Sequence, residues 1–255
     1  MFGVCKLCLE EKRLVDSHLL PAFLYRLCRE PGAGTNPNPI ALTAKIAIST
    51  SKQMKGYLLC RDCEHRFHVH GENWVARQVY NGTVFPLLDR LSSSSAASKT
   101  EELAIYDGNA LGVETGTIAY FALSVLWRAA VRKWEMIDRE RISVDLGEYE
   151  EAIRRFLLGG AFPAGVVVMT IVCTDEISRA SFCSPSRKLG PRDEYSFFTR
   201  GLAFNIFIGS NLPEEVRMFC WASSPYKALF VASYEDKVFR AGARLRATAR
   251  PLVKR

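Results

Sequence analysis

The clearest hydrophobic pattern along the chain lies in residues 115–136, where apolar side chains recur at the i, i+3, i+4, i+7 spacing of an amphipathic helix. The positions that set this period are Ile118, Phe121, Ala122, Val125, Leu126 and Ala129. The period predicts a long helix with Trp127 and Trp134 packed in the core on one face. Arg128 and Arg132 would lie on an adjoining face and pair with acids, with contact to nucleic acid as the alternative.

Downstream of this helix the pattern changes from helical to β. Residues 148–158 predict a second helix, which Gly159 and Gly160 end. The β-branched run 165–173 has the length and composition of a strand. Shorter strands are predicted at 195–200, 202–209, 217–222 and 228–232. Helices followed by strands predict an α+β domain.

The N-terminal residues predict shorter elements. A strand within 10–20 is ended by Pro21, and a helix follows at 22–29. Residues 31–39 are dense in turn formers and predict a loop. Short strands are expected within 40–50 and at 57–59, and a helix from Arg61 with a break at Gly71.

A serine-rich run at 92–98 has the composition of a flexible linker. It divides the chain into an N-terminal module (1–91), a linker (92–99), an α+β domain (100–236) and a basic C-terminal tail (237–255). The expected fold class is therefore α+β, with a small N-terminal module followed by a helical and then β-rich domain.

The formal net charge of +7 is concentrated in the tail. Residues 237–255 carry seven basic side chains and no acid, so Arg240, Arg244, Arg246 and Arg250 are predicted to contact nucleic acid through its phosphates. A solvated tail that aids solubility is the alternative.

No apolar run is long enough for a membrane helix and no secretion signal is apparent, which predicts a cytoplasmic protein without a membrane partner.

The chain contains eight cysteines, four of which form two C-x2-C pairs, Cys5/Cys8 and Cys60/Cys63. In a reducing compartment such pairs are typical of zinc ligands, because two turns that each present two thiolates complete a tetrahedral site. We therefore predict structural Zn²⁺ at these four residues. Free thiols or redox pairs are the alternatives.

All four histidines lie in the N-terminal module, at His18, His65, His68 and His70. On a helix that starts near Cys63, Glu64 and His68 are i and i+4, so both project from one face and can chelate one ion. A carboxylate with an imidazole suits a hydrolytic divalent metal. A solvated helix face is the alternative.

Taken together, Cys5-x-x-Cys8, Ser17-His18-Leu19-Leu20-Pro21 and Leu58-Leu59-Cys60-x-x-Cys63-Glu64-His65 resemble the zinc-stabilised HNH endonucleases. The resemblance implies a ββα-metal, treble-clef-like zinc module in which His18 is the general base and Glu64 and His68 bind a catalytic Mg²⁺ or Mn²⁺ ion. It also implies a bacterial or phage protein in a defence or mobile-element setting. A strand-end histidine hydrogen-bonded within the zinc knuckle is the alternative for His18. Two positions depart from the family pattern: Ser17 stands where a metal ligand is usual, and 40–59 contains no clear counterpart of the family's asparagine.

Three hypotheses follow from the sequence. The first is a zinc-binding HNH-like nuclease that cuts DNA through a water activated by His18. The second is a catalytically inactive zinc module that binds nucleic acid, with phosphate contacts from the tail. The third is a protein-interaction adaptor in which the zinc module is scaffold.

Overall fold

The computed structural model describes residues 1–29, 38–43, 45–188, 193–218, 227–234 and 250–251. The strands are β1 (Phe2–Val4), β2 (Glu11–His18), β3 (Ile40–Leu42), β4 (Ile46–Ser49), β5 (Lys55–Cys60), β6 (Ser98–Lys99), β7 (Leu103–Asp107), β8 (Trp134–Glu135), β9 (Arg141–Ile142), β10 (Val166–Cys173), β11 (Phe182–Arg187), β12 (Asp193–Thr199), β13 (Leu202–Ile208), β14 (Ala228–Ala232) and β15 (Arg250–Pro251). The α-helices are α1 (Ala22–Leu27), α2 (Arg61–Phe67), α3 (Asn73–Gln78), α4 (Pro86–Ser92), α5 (Thr115–Ala130), α6 (Tyr149–Leu157), α7 (Glu176–Ala180) and α8 (Glu214–Arg217). A π-helical turn (His68–Glu72) joins α2 to α3.

The N-terminal residues form a small antiparallel sheet in the order β1-β2-β5, and α2 follows β5 directly. In β2, Leu14 and Ser17 are both buried although they are three residues apart. A β-bulge between Leu14 and Asp16 accounts for this, because the extra residue shifts the alternation of faces. The bulge therefore turns Ser17 into the core.

A seven-stranded sheet in the order β11-β12-β13-β10-β14-β7-β6 forms the C-terminal part of the fold. β10 pairs antiparallel with β13 and parallel with β14. Nearly every residue of β10 is buried, as its continuous apolar sequence predicts for a central strand with both faces covered.

Helix α5 lies between the large sheet and the N-terminal residues. Towards the sheet, the ring of Phe121 is 5.8 Å from that of Phe204. Towards the N-terminal residues, Trp127 meets Phe67 edge to face at 6.1 Å. A Cβ at Gly71 would lie 3.1 Å from Phe121 Cα, so this glycine lets the π-helical turn approach the helix. The predicted α+β class is confirmed.

Two predicted elements differ from the structure. The helix expected at 115–136 is present but ends at Ala130, and Trp134 lies in β8 instead of on the helix. The cause is a return of the chain, in which the indole Nε1 of Trp134 donates 2.7 Å to the carbonyl oxygen of Arg128 near the helix end. The strand expected at 217–222 is wrong at its first residue, because Arg217 is the last residue of helix α8, whose N-cap is Pro213. Residues 219–222 lie outside the described residues.

The division of the chain into a module, a linker and a domain stays a prediction. Within 92–99, Ser92 ends α4, and Ser98 and Lys99 form β6, which pairs with β7. One hydrophobic cluster contains buried residues from Cys5 to Leu229. The core is therefore continuous across the predicted linker.

Candidate metal centre and the residues around it

The first cysteine pair lies in the tight turn between β1 and β2. The backbone N–H of Cys5 donates to Glu10 at 2.9 Å, and that of Leu9 donates to Cys5 at 2.9 Å. Leu9 has a φ of 63°, which is uncommon for a residue with a branched side chain. These bonds fold the turn so that Cys5 and Cys8 face the same space.

The second pair is presented by the junction of β5 and α2. Cys60 is the last residue of β5 and the N-cap of α2, and Cys63 lies in the first turn. The N–H of Cys60 donates to the Sγ atom of Cys5 at 3.3 Å. The strand pairing of β2 with β5 thus brings two sequence-distant turns together.

The four sulfur atoms lie within 4.8 Å of one another. A tetrahedral zinc site with Zn–S bonds of about 2.3 Å separates its sulfurs by about 3.8 Å. The Sγ atoms of Cys8 and Cys60 are 4.0 Å apart, which is close to that value. Cys5, Cys60 and Cys63 are buried and Cys8 is half-buried. The four cysteines therefore fit a metal ion such as zinc.

The electrostatics of the cluster favour a thiolate. A hydrogen bond from the Cys63 thiol, aided by backbone N–H groups and opposed by burial, lowers the pKa of Cys5 to about 4. The same hydrogen bond raises the pKa of Cys63, and burial raises that of Cys8. The site thus holds an anionic sulfur at neutral pH, which is the form that binds a metal.

His18 is the last residue of β2 and lies opposite Lys55 of β5. Its Nε2 atom is 2.7 Å from the amide oxygen of Gln53. Because an amide oxygen only accepts, Nε2 must carry the proton, which leaves Nδ1 as the basic nitrogen. Gln53 was missed in the sequence, where an asparagine was sought.

The side chains of Ser17 and His18 do not share the same surroundings. Its side chain is fully buried, and its hydroxyl oxygen accepts a hydrogen bond from the N–H of Leu59 at 3.3 Å. Ser17 therefore joins β2 to β5 and is not a metal ligand.

Glu64 and His68 keep the predicted one-turn spacing, since the N–H of His68 donates to the carbonyl of Glu64. Glu64 is half-buried and its Oε2 atom has no hydrogen-bond partner in the described part of the chain, whereas His68 is exposed. Among the described residues, the four cysteines are the group of three or more His, Cys, Asp or Glu donors that could hold one ion. The structure therefore does not bring His18, Glu64 and His68 together into such a group.

Two arginines that the sequence did not single out for this role reach the cysteine-bearing segments from the C-terminal part. Arg154 of α6 donates to the carbonyl of Leu7, which lies between the first two cysteines. Arg132, expected on a helix face and now in the turn after α5, donates to the carbonyl of Tyr57 at 2.9 Å. The partners are 147 and 75 residues apart in sequence, so no local pattern indicates these contacts.

The predicted nucleic-acid contacts lie almost entirely beyond the described residues. Arg240, Arg244 and Arg246 fall outside them. Arg250 is described as part of β15, whose backbone pairs in parallel with β4.

Comparison of the chain with protein-family models, with curated proteins and with solved structures gives no match. In the described residues, no helix has the length and apolar character needed to span a membrane. The function is therefore inferred from the geometry of the cysteine cluster and the residues around it.

Proposed function

We propose that the protein is a zinc-stabilised, HNH-like phosphodiesterase that binds nucleic acid, DNA in the first instance, and hydrolyses it with a divalent metal. The zinc ion would be held by Cys5, Cys8, Cys60 and Cys63 and would fix the junction of β2, β5 and α2. The observation that carries the proposal is the hydrogen bond between His18 and Gln53.

That hydrogen bond prepares His18 for general-base chemistry. With Nε2 protonated and bound to Gln53, Nδ1 is available to take a proton from a water molecule that attacks phosphorus. In the imidazolium formed, Nε2 would keep its hydrogen bond to the Gln53 oxygen, so the ring keeps its orientation when Nδ1 takes up the proton. His18 is half-buried at a strand end, where a bound phosphodiester can reach it.

Glu64 and His68 are the residues that would hold a Mg²⁺ or Mn²⁺ ion. The unpartnered Oε2 atom of Glu64 supports this assignment, since a buried carboxylate oxygen without a donor is costly. When bound, such an ion supplies positive charge to the phosphate.

The test measures cleavage of supercoiled DNA by the purified protein, with its zinc content determined, in the presence of Mg²⁺ or Mn²⁺. We expect His18→Ala to lower the rate at least 100-fold, and Gln53→Leu about 10-fold, with zinc content unchanged. The control is His70→Ala, which removes an exposed histidine of the π-helical turn. Cleavage at the full rate by His18→Ala would refute the proposal.

A second function is favoured by the buried Ser17 and by the absence, among the described residues, of a third donor beside Glu64 and His68. It is a catalytically inactive zinc module that binds nucleic acid through the basic tail. DNA binding without cleavage, with a steep salt dependence that deletion of 237–255 abolishes, would select it.

A further inference from the structure

Arg128 is a buried cation on α5, with its side chain 1% exposed. Its guanidinium donates to the carbonyl oxygen of His18 at 2.9 Å and to Glu72 Oε1 at 2.6 Å. Further bonds go to the carbonyl and hydroxyl of Ser124, and the guanidinium lies 5.0 Å from the centre of the Phe67 ring. Four hydrogen bonds and one aromatic ring therefore hold the planar group in place.

The two main acceptors belong to the two segments that carry the candidate site residues. His18 ends β2, and Glu72 ends the π-helical turn that begins at His68. One side chain from the C-terminal part thus binds the strand end and the π-helical turn that directly follows the Glu64-containing helix α2. A displacement of Arg128 would release both segments.

Stability alone does not explain such an ion pair. Burying two charges is costly, and an apolar pair of similar volume is often as stable or more so. Glu72 is 14% exposed, so the pair is almost fully desolvated. What a guanidinium adds over an apolar side chain is direction, because its donors form a rigid plane.

We infer that Arg128 is a positioning residue, which holds the main chain at His18 while Gln53 holds the imidazole ring. Glu72 is its counter-ion and fixes the orientation of the guanidinium. The positioning itself is a property of the fold, and its effect on hydrolysis rests on the proposed function.

The test records the NMR spectrum of ¹⁵N-labelled histidine in the full-length, zinc-loaded protein. The natural protein is expected to show His18 as a single Nε2–H tautomer. In Arg128→Lys and Glu72→Leu we expect a mixture of tautomers with zinc content unchanged, because the strand end is released from the arginine. Glu72→Gln retains an acceptor and is expected to restore the single tautomer.

The matched control is Arg132→Met, which removes another arginine bond between the C-terminal part and the zinc-bearing segments but leaves the His18 carbonyl bound. We expect its His18 spectrum to match that of the natural protein. An unchanged His18 spectrum in both folded Arg128→Lys and Glu72→Leu would overturn the inference. If Arg128→Lys does not fold, the comparison of Glu72→Leu with Glu72→Gln decides.

The activity measurement separates this inference from the proposed function. If the protein cuts DNA, Arg128→Lys should lower kcat about 10- to 100-fold with little change in KM, as expected for a misplaced base. If instead the natural protein shows no DNA cleavage while the variants show a mixture of His18 tautomers, the result would support the positioning role and contradict the proposed nuclease activity.

Discussion

The guanidinium of Arg154 donates to the carbonyl oxygen of Leu7 at 2.5 Å, and this bond joins α6 to the turn between the first two cysteines. The Arg154 side chain is only 15% exposed and is oriented by bonds of 2.6 and 2.8 Å to Glu151. A zinc ion bound by four thiolates carries a net charge of about −2, so a nearby cation stabilises the loaded site.

We predict that Arg154→Met lowers zinc affinity about 10-fold, as is typical when a residue that supports metal ligands is lost. The matched variant Arg155→Met should leave zinc affinity unchanged, because Arg155 binds the same Glu151 but is 74% exposed. Competition with a chromogenic chelator measures both affinities. Equal affinities for the two variants would contradict the role assigned to Arg154.

Glu151 gives a prediction about pH. Hydrogen bonds from Arg154 and then Arg155 lower its pKa from 4.5 to about 2. Because the folded pKa is the lower one, Glu151 contributes stability above pH 4.5 and loses it as the pH falls through about 2. The ¹³C resonance of its carboxyl group should therefore still report the ionised form at pH 4.5, where an ordinary glutamate is roughly half protonated. A half-titrated signal at that pH would show that the two arginines do not hold Glu151.

Gly56 tests the contact of Arg132 with β5. A Cβ at this position would lie 2.5 Å from Arg132 Nη2, so Gly56→Ala should displace the guanidinium from the Tyr57 carbonyl. We expect a loss of about 1 kcal/mol in the free energy of unfolding, the usual net worth of one hydrogen bond. In an Arg132→Ala background the same change should cost little. Urea denaturation of the four proteins gives the coupling, and additive effects would exclude the clash.

The continuous core predicts that residues 1–91 do not fold alone. The fragment would lose the ring contacts of Phe67 with Trp127 and of Phe23 with Phe121, and with them the burial of its main apolar face. We expect poorly dispersed amide resonances for the zinc-loaded fragment and dispersed ones for the full chain. A dispersed fragment spectrum with cooperative unfolding would instead establish an independent domain.

The parts of the site that the sequence predicted are local. Each C-x2-C pair specifies its own turn, so the four-cysteine group could be predicted without the fold. The break expected at Gly71 is not present, because α2, the π-helical turn and α3 follow one another directly; the irregularity there is the π-helical turn, in which glycine permits close approach to α5.

The remaining features depend on contacts between distant residues. Gln53 lies in the segment between β2 and β5, 35 residues from His18, and the sequence around either residue does not indicate the other. The partner of Arg128 at the end of β2 is 110 residues away. Trp134 continues the helical period of α5 in sequence, yet a hydrogen bond to the helix end turns it back. Periodicity describes a face of an element and does not determine where the element stops.

The 52-residue separation of Cys8 from Cys60 also determines how the site assembles. Closing a flexible loop of that length costs about 3.5 kcal/mol in chain entropy, whereas the two cysteines within each pair are already close. An unfolded chain would therefore bind zinc first through one cysteine pair, in a complex that has two of the four protein ligands. The pairing of β2 with β5 would then bring in the second pair, so that completion of the four-cysteine site and formation of this sheet become a single kinetic step.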